Sequence, residues 1–338
     1  MPAGRSWRTP LPMATPRTGR ALIDATRPYA KDDAARSWME TGLTLGLCTA
    51  LETLILFEPH PVLRAVAIVL LGLMLVRAFI LFHDYMHRAI LRRSKLAKLV
   101  YPLVGWLLLT PASVWRRTHN YHHANNSKIV GSHIGSYPIM TTTMWRRARP
   151  MDRLRYRLVR HPLTQLFGYV TVFALGMCLL PLVRRPKDHR DALAALLVHG
   201  AWLGLVGFFF GGMAMLEAVV LPMMIATATG SYLFYAQHNF PDMNVQSREK
   251  WDYVRAALEC SSFMDLPGWL HWLTGNIGYH HVHHLNPTIP FYRLPEAMDG
   301  IEELQEPGRT SLAPKDVWAC LRLDLWDPRK KRMVSRGD

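Results

Sequence analysis

Apolar residues in this chain come in long blocks separated by dense polar stretches, and the block lengths are those of membrane-crossing helices. Crossing the hydrocarbon core takes about 20 apolar residues. Residues 62–82 supply that number, and 41–57 form a shorter block that includes Glu52. Between them Glu58-Pro59-His60-Pro61 carries no Lys or Arg and predicts an outer turn, whereas Arg88, Arg92, Arg93, Lys95 and Lys98 mark the cytoplasmic side. Residues 192–212 and 214–237 form a second pair, joined by an uncharged turn at Gly211–Met213. The apolar run Leu163–Val183 is bounded by basic residues on both sides, so it enters and returns. Residues 145–160 hold Arg153, Arg157 and Arg160 on one helical face and Leu154 and Leu158 on another, the pattern of a basic amphipathic helix lying on anionic headgroups.

The prediction is an all-α integral membrane protein: four transmembrane helices in two hairpins, with interfacial or re-entrant helices and a cytoplasmic histidine-rich cap. Residues 1–27 read as a flexible basic tail, 28–298 as the membrane domain and 299–338 as a charged cytoplasmic tail. Trp251, Trp269 and Trp272 suit an interfacial belt.

Composition sharpens this picture. Half of the 338 residues are hydrophobic and the net charge is +15. Because the basic residues flank the apolar blocks, an anionic membrane surface explains them better than nucleic acid does. The four cysteines lie far apart with no CxxC, which excludes an iron–sulfur cluster or a thiolate zinc site.

The candidate chemistry lies in histidine. Nine of the 16 histidines fall in three five-residue windows: His83-Asp-Tyr-Met-His87, His119-Asn-Tyr-His122-His123 and His280-His281-Val-His283-His284. On a helix, His119, His122 and His123 sit at i, i+3 and i+4, as do His280, His283 and His284, so each trio shares a face while His281 points elsewhere. The pair His83 and His87 is spaced i, i+4. Neutral imidazole is a common metal ligand. A shared site requires all three boxes on one side of the membrane, which makes Leu99–Val114, interrupted by Pro102, Gly105 and Pro111, re-entrant or interfacial. His238 ends the fourth span as His87 ends the second, and is a ninth candidate ligand; His199, inside the third span, reads as a hydrogen-bonded core residue. Asp84 and Asn276 are candidate outer partners that orient the ligands.

Nine nitrogens exceed one ion and suit two with open positions. An all-nitrogen set argues against magnesium and for redox iron, which activates dioxygen for attack on an unactivated C–H bond. Loss of hydrogen from two neighbouring carbons gives an alkene; return of oxygen gives an alcohol, and the ligands alone leave both outcomes open. Tyr85, Met86, Trp115, Tyr121, Tyr235 and Tyr279, each within four residues of a candidate ligand, are candidate walls of an acyl tunnel. A membrane metal carrier or sensor is the non-enzymatic alternative, disfavoured by spans that lack a polar path.

The boxes HDYMH, HNYHH and HHVHH, in that order between apolar hairpins, resemble those of the membrane fatty acid desaturases from about Arg27 to Met298. The resemblance implies two iron ions held by His83, His87, His119, His122, His123, His280, His283 and His284 with His238 as the isolated ninth, and dioxygen as co-substrate. It also implies electrons from a separate ferredoxin or haem-cytochrome donor with its reductase. The continuation HHLNPTIPFYRL is similar to the bacterial acyl-lipid, methyl-end group, which implies phospholipid acyl chains of a bacterial inner membrane as substrate; the charge bias, and the need for all three boxes on one side, put the active site and both termini in the cytoplasm. A hydroxylase or ketolase acting on alkanes, carotenoids or sterols shares the scaffold and is the rival enzyme.

Overall fold

A computed structural model of the chain describes residues 16–129 and 134–337. Its principal helices are α1 (Ala34–Phe57), α2 (Pro61–Met86), α3 (Ala97–Leu107), α4 (Ala112–Ala124), α5 (Pro150–Arg160), α6 (Tyr169–Arg184), α7 (Arg190–Phe210), α8 (Gly212–Gln237), α9 (His280–Leu285) and α10 (Pro314–Arg322). Four of them, α1, α2, α7 and α8, are long and apolar enough to cross a membrane.

Each end of these helices has a local cause. Asp33 caps α1, its carboxylate accepting from the Arg36 N–H at 3.1 Å. Pro61, at the first position of α2, supplies a fixed φ and lacks the N–H that would go unpaired there. Both helices extend beyond the apolar blocks at their polar ends: α1 begins seven residues earlier and α2 runs four residues further, through His83 and Asp84. Hydropathy marks the hydrocarbon-length segment, and the helix continues past it.

α2 is the central element, packed on one side by α1 and on the other by α8. Its contact with α8 is close because Gly72 has no side chain: a Cβ there would meet Cγ2 of Ile225 at 2.6 Å. Arg64 and Glu217 join the two hairpins at their turn end, 3.0 Å apart. The acidic and basic residues buried within these helices are paired. Glu52 accepts from the Trp202 indole at 2.7 Å. Arg77 is buried between Glu40 at 2.6 Å and the Trp272 ring, whose centroid lies 4.2 Å from its guanidinium carbon. The outward faces are bare apolar surface, including Val62, Val66 and Val69 on α2 and Leu197, Leu205 and Phe208 on α7. A water-facing protein rarely leaves such a band uncovered.

Two shorter segments dip into the bundle and return. The Leu107 carbonyl at the end of α3 accepts from His199 Nδ1 at 2.7 Å, midway along α7. Six residues later the Ser113 N–H meets Asp191 at 2.7 Å, in the first turn of α7 and about 12 Å back along its axis. α4 leaves at 87° to α3. The second segment starts at Arg160, which donates to Asn239 just beyond α8 at 2.6 Å. It reaches Gly168 and Tyr169 beside Ser231 and His199, and returns through wide-turned helix to Arg184, next to the start of α7. Both ring nitrogens of His199 are hydrogen-bonded, to Tyr169 and to Leu107.

Five features depart from expectation. The fold has a small β component. Phe263–Asp265 pairs in parallel with Arg309–Ser311, and Leu325–Asp327 pairs with Met140–Thr141 and Arg332–Val334. The charged C-terminal stretch is consequently packed rather than loose: Cys320, Leu325, Trp326, Met333 and Val334 are buried. At the other end, residues 1–15 of the expected tail lie outside the described residues, but Gly19–Ala25 is helical with Leu22 buried. Arg160 does not face headgroups with Arg153 and Arg157. It is buried, donating to Pro138, Tyr235, Asn239 and Leu323. Trp251 is tied inside the cap by its indole bond to the Asn126 carbonyl and by Lys128 over its ring.

Candidate metal centre

His238 and the eight box histidines other than His281 converge at the end of the bundle where α2 and α8 finish and α4 and α9 lie across them. They form two groups. His83 and His87 from α2, His119 and His123 from α4 and His283 from α9 place their ligand atoms within 4.8 Å of one another. His122 from α4, His238 after α8 and His284 from α9 form the second group, and His280 joins it with Nε2 2.9 Å from that of His238.

Helix geometry explains the division. Relative to residue i, residue i+4 lies about 40° round the axis and residue i+3 about 60° the other way. In α4 the i, i+4 pair His119 and His123 serves the first group and the i+3 residue His122 the second. In α9 the roles are exchanged: His280 and His284 serve the second group and His283 the first. Both helices therefore lie between the two groups and contribute to each.

The donor set fits metal ions. Nε2 of His119 is 3.2 Å from that of His83 and 3.0 Å from that of His123, which in turn is 3.1 Å from that of His283. In the second group, Nε2 of His122 lies 3.0 Å from that of His238 and 3.3 Å from that of His284. Nitrogens bound at about 2.0–2.1 Å to one ion stand about 3.0–3.4 Å apart. A nitrogen facing two others cannot satisfy both through the single proton of neutral imidazole. A shared cation resolves the arrangement, and it also accounts for His87 Nε2, buried with no hydrogen-bond partner. Burial first, and then the neighbouring imidazoles, hold His280, His283 and His284 well below the usual imidazole range, so their lone pairs are free. No carboxylate belongs to either group.

Two outer contacts orient the rings. Nδ1 of His83 lies 2.9 Å from Asp84 Oδ1, and Nδ1 of His238 lies 3.0 Å from the Cys260 carbonyl, which turns each Nε2 inward. Asn276 has a different task from the one expected: its amide donates to the Phe291 carbonyl at 3.1 Å and bonds no imidazole. His281 faces away from both groups, its Nε2 donating to the Leu304 carbonyl at 3.0 Å.

A cavity of about 580 Å³ leads to the histidines from inside the bundle. It touches His83, His119 and His280, and its α8 lining runs from Met223 to Gln237, a rise of about 21 Å. Of the six expected wall residues only Trp115 lines it. Tyr85 stacks on Tyr101, Tyr235 packs against Tyr137, and Tyr279 packs against Phe263 and His271. Met86 meets Arg116, and the carbonyl of Tyr121, which is also off the cavity, accepts from Asn125. Met86, Tyr121 and Tyr279 each immediately precede a ligand, and an adjacent residue is rotated about 100° from its histidine and faces elsewhere. The walls lie four residues back on the same helical face: Phe79 before His83, Trp115 before His119 and Phe234 before His238. That spacing was present in the sequence and identifies Phe79 and Phe234, which adjacency passed over.

Comparison with known proteins agrees with this geometry. The profile of the family described as "Fatty acid desaturase" matches residues 59–314. A protein of Bacillus subtilis (strain 168) named fatty acid desaturase is 34% identical over 262 residues, covering 77% of this chain and 74% of its own length. An sn-1 oleoyl-lipid 12-desaturase of Picosynechococcus sp. is 23% identical, covering 84% and 82% respectively. A temperature-sensitive sn-2 acyl-lipid omega-3 desaturase (ferredoxin) of Arabidopsis thaliana is 26% identical over 68% of this chain and 54% of its own. With three-quarters of its length matched by the family profile and its histidine boxes folded together, the chain belongs to the fatty acid desaturase family.

Proposed function

We propose that the chain introduces a cis double bond into a lipid-linked acyl chain, using dioxygen at a two-iron centre. The observation that carries this reading is the apolar cavity running between α2 and α8 and ending on His83, His119 and His280. His83, His87, His119, His123 and His283 would hold one ion, and His122, His238, His280 and His284 the other. Iron held there supplies the power to activate dioxygen and remove hydrogen from unactivated carbon. The chain's own residues do the rest. Phe79, Trp115 and Phe234 fix the acyl segment beside the ligands, and the apolar wall excludes water.

The reaction balances as one CH2–CH2 unit, one dioxygen, two electrons and two protons giving one CH=CH unit and two waters. Relatives named as acyl-lipid desaturases favour a glycerolipid substrate, and a ferredoxin in one relative's name favours an external one-electron donor. The charge bias of the loops favours a cytoplasmic site with both termini on that side of the bacterial inner membrane. Externally added thiol reagent should therefore fail to label a cysteine placed at Lys128.

The test is the fatty-acid profile of a desaturase-deficient host carrying the gene. A new cis-unsaturated chain should form with the wild type and be absent with His283→Ala at equal protein level. Unsaturation retained by that variant, or a hydroxylated main product, would refute the reading.

A further inference from the structure

A second, smaller cavity reaches the five-histidine group from a different direction. It encloses about 330 Å³ and is lined by Met86, His87, Arg88, Arg116 and Asn120, none of which borders the large apolar cavity. His87 is also the one candidate ligand with partial solvent exposure; the other eight are buried. Of the residues lining this opening Arg88, Arg116 and Asn120 are exposed, and so is Arg117, next to Arg116 in α4. Among the described residues none of the three arginines makes an ion pair, and the one side-chain bond recorded for Arg116 is to the Met86 sulfur at 3.6 Å.

The basic rim differs from the basic helix α5. There Met151, Leu154 and Leu158 stand exposed beside the arginines, which suits a lipid surface. No large apolar side chain is exposed between residues 71 and 95, or among the described residues of 104–133. A cationic surface without an apolar partner suits an acidic protein better than a bilayer.

We infer that this rim is where an acidic one-electron carrier protein docks, with Arg88, Arg116, Arg117 and Asn120 meeting its carboxylates over His87. The inference rests on the proposed reaction for its need of electrons. Two carriers, each oxidised by one electron, supply the two electrons that join one dioxygen, two protons and the two hydrogens of the acyl chain in two waters. Hydrocarbon then enters at His83, His119 and His280, and reducing equivalents enter at His87, so neither obstructs the other.

The test measures docking without turnover. Iron-loaded chain in neutral phosphatidylcholine nanodiscs is titrated with an acidic plant-type [2Fe–2S] ferredoxin at several salt concentrations. Binding should weaken as salt rises and be about tenfold weaker or more for Arg88→Glu/Arg116→Glu, with unchanged iron content and unchanged reduction by dithionite. If that variant does not fold, Arg117→Glu and Arg116→Gln should each weaken binding by a smaller factor. The proposal is overturned if the wild type does not bind ferredoxin, or if the variants bind it as the wild type does. It is equally overturned if they lose only binding to phosphatidylserine vesicles, which would assign the rim to lipid. A chain that docks ferredoxin in this way but forms no alkene would refute the reaction and leave the docking surface standing.

Discussion

Nδ1 of His83 and Oδ1 of Asp84, adjacent in the chain, lie 2.9 Å apart, and the other carboxylate oxygen takes the Phe291 backbone N–H at 2.6 Å. Asp84 thereby fixes the first histidine of the first box to the stretch that follows the third. Asp84→Ala should free the His83 ring and lower iron affinity by about 10- to 100-fold, with Asp84→Asn in between. Iron content after dialysis against a graded chelator checks this. Retention equal to the wild type in the alanine variant would show that the contact does not tune the site.

His280 and His281 should behave oppositely despite being neighbours. His280→Ala removes a nitrogen from the second group and should cost an ion. His281→Ala removes a hydrogen bond to Leu304 inside the cap. That should lower stability by about 1–3 kcal/mol while leaving iron in place. Metal analysis alongside thermal unfolding separates the two, and equal iron loss in both would place His281 among the ligands.

Gly230 lines the large cavity, and a Cβ added there meets no atom within 4 Å. It lies about 12 Å along α8 from His238. Gly230→Leu should therefore project into the cavity without disturbing its walls. Conversion of long acyl chains should fall before that of short ones, with iron unchanged, as read from product profiles over a chain-length series. A uniform fall across all lengths would mean that the acyl chain does not pass Gly230.

Arg77 and Glu40 form an ion pair 2.6 Å apart that ties α2 to α1, and Arg77 is almost fully buried. Arg77→Ala leaves a buried carboxylate without its partner and should destabilise the protein by about 3–5 kcal/mol. Replacing both residues with apolar ones of similar volume should recover most of that loss. Unfolding in detergent measures both.

The four long helices were legible because hydrocarbon-length apolar blocks stand out against Lys- and Arg-rich loops. Their polar ends were not, since Ser37, Glu40 and the His83-Asp84 pair continue the helix without apolar character. The histidine spacing pointed to metal, but the assignment of His122 to one group and His119 to the other depends on where α9 lies, which local periodicity does not contain. Three of the cavity walls were readable by counting four residues back from His83, His119 and His238. The packed C-terminal segment was masked by its charges: Leu325, Trp326, Met333 and Val334 are too few and too scattered to stand out until strand pairing brings them together.

The fate of dioxygen separates desaturation from hydroxylation and from metal binding without turnover. Purified iron-loaded protein, supplied with a saturated acyl lipid, a reduced ferredoxin and isotopically labelled dioxygen, allows oxygen uptake and product to be measured in one reaction. One dioxygen should be consumed per double bond formed, with no label in the acyl chain. Label recovered in a hydroxylated chain, or iron bound with no oxygen consumed, would contradict desaturation.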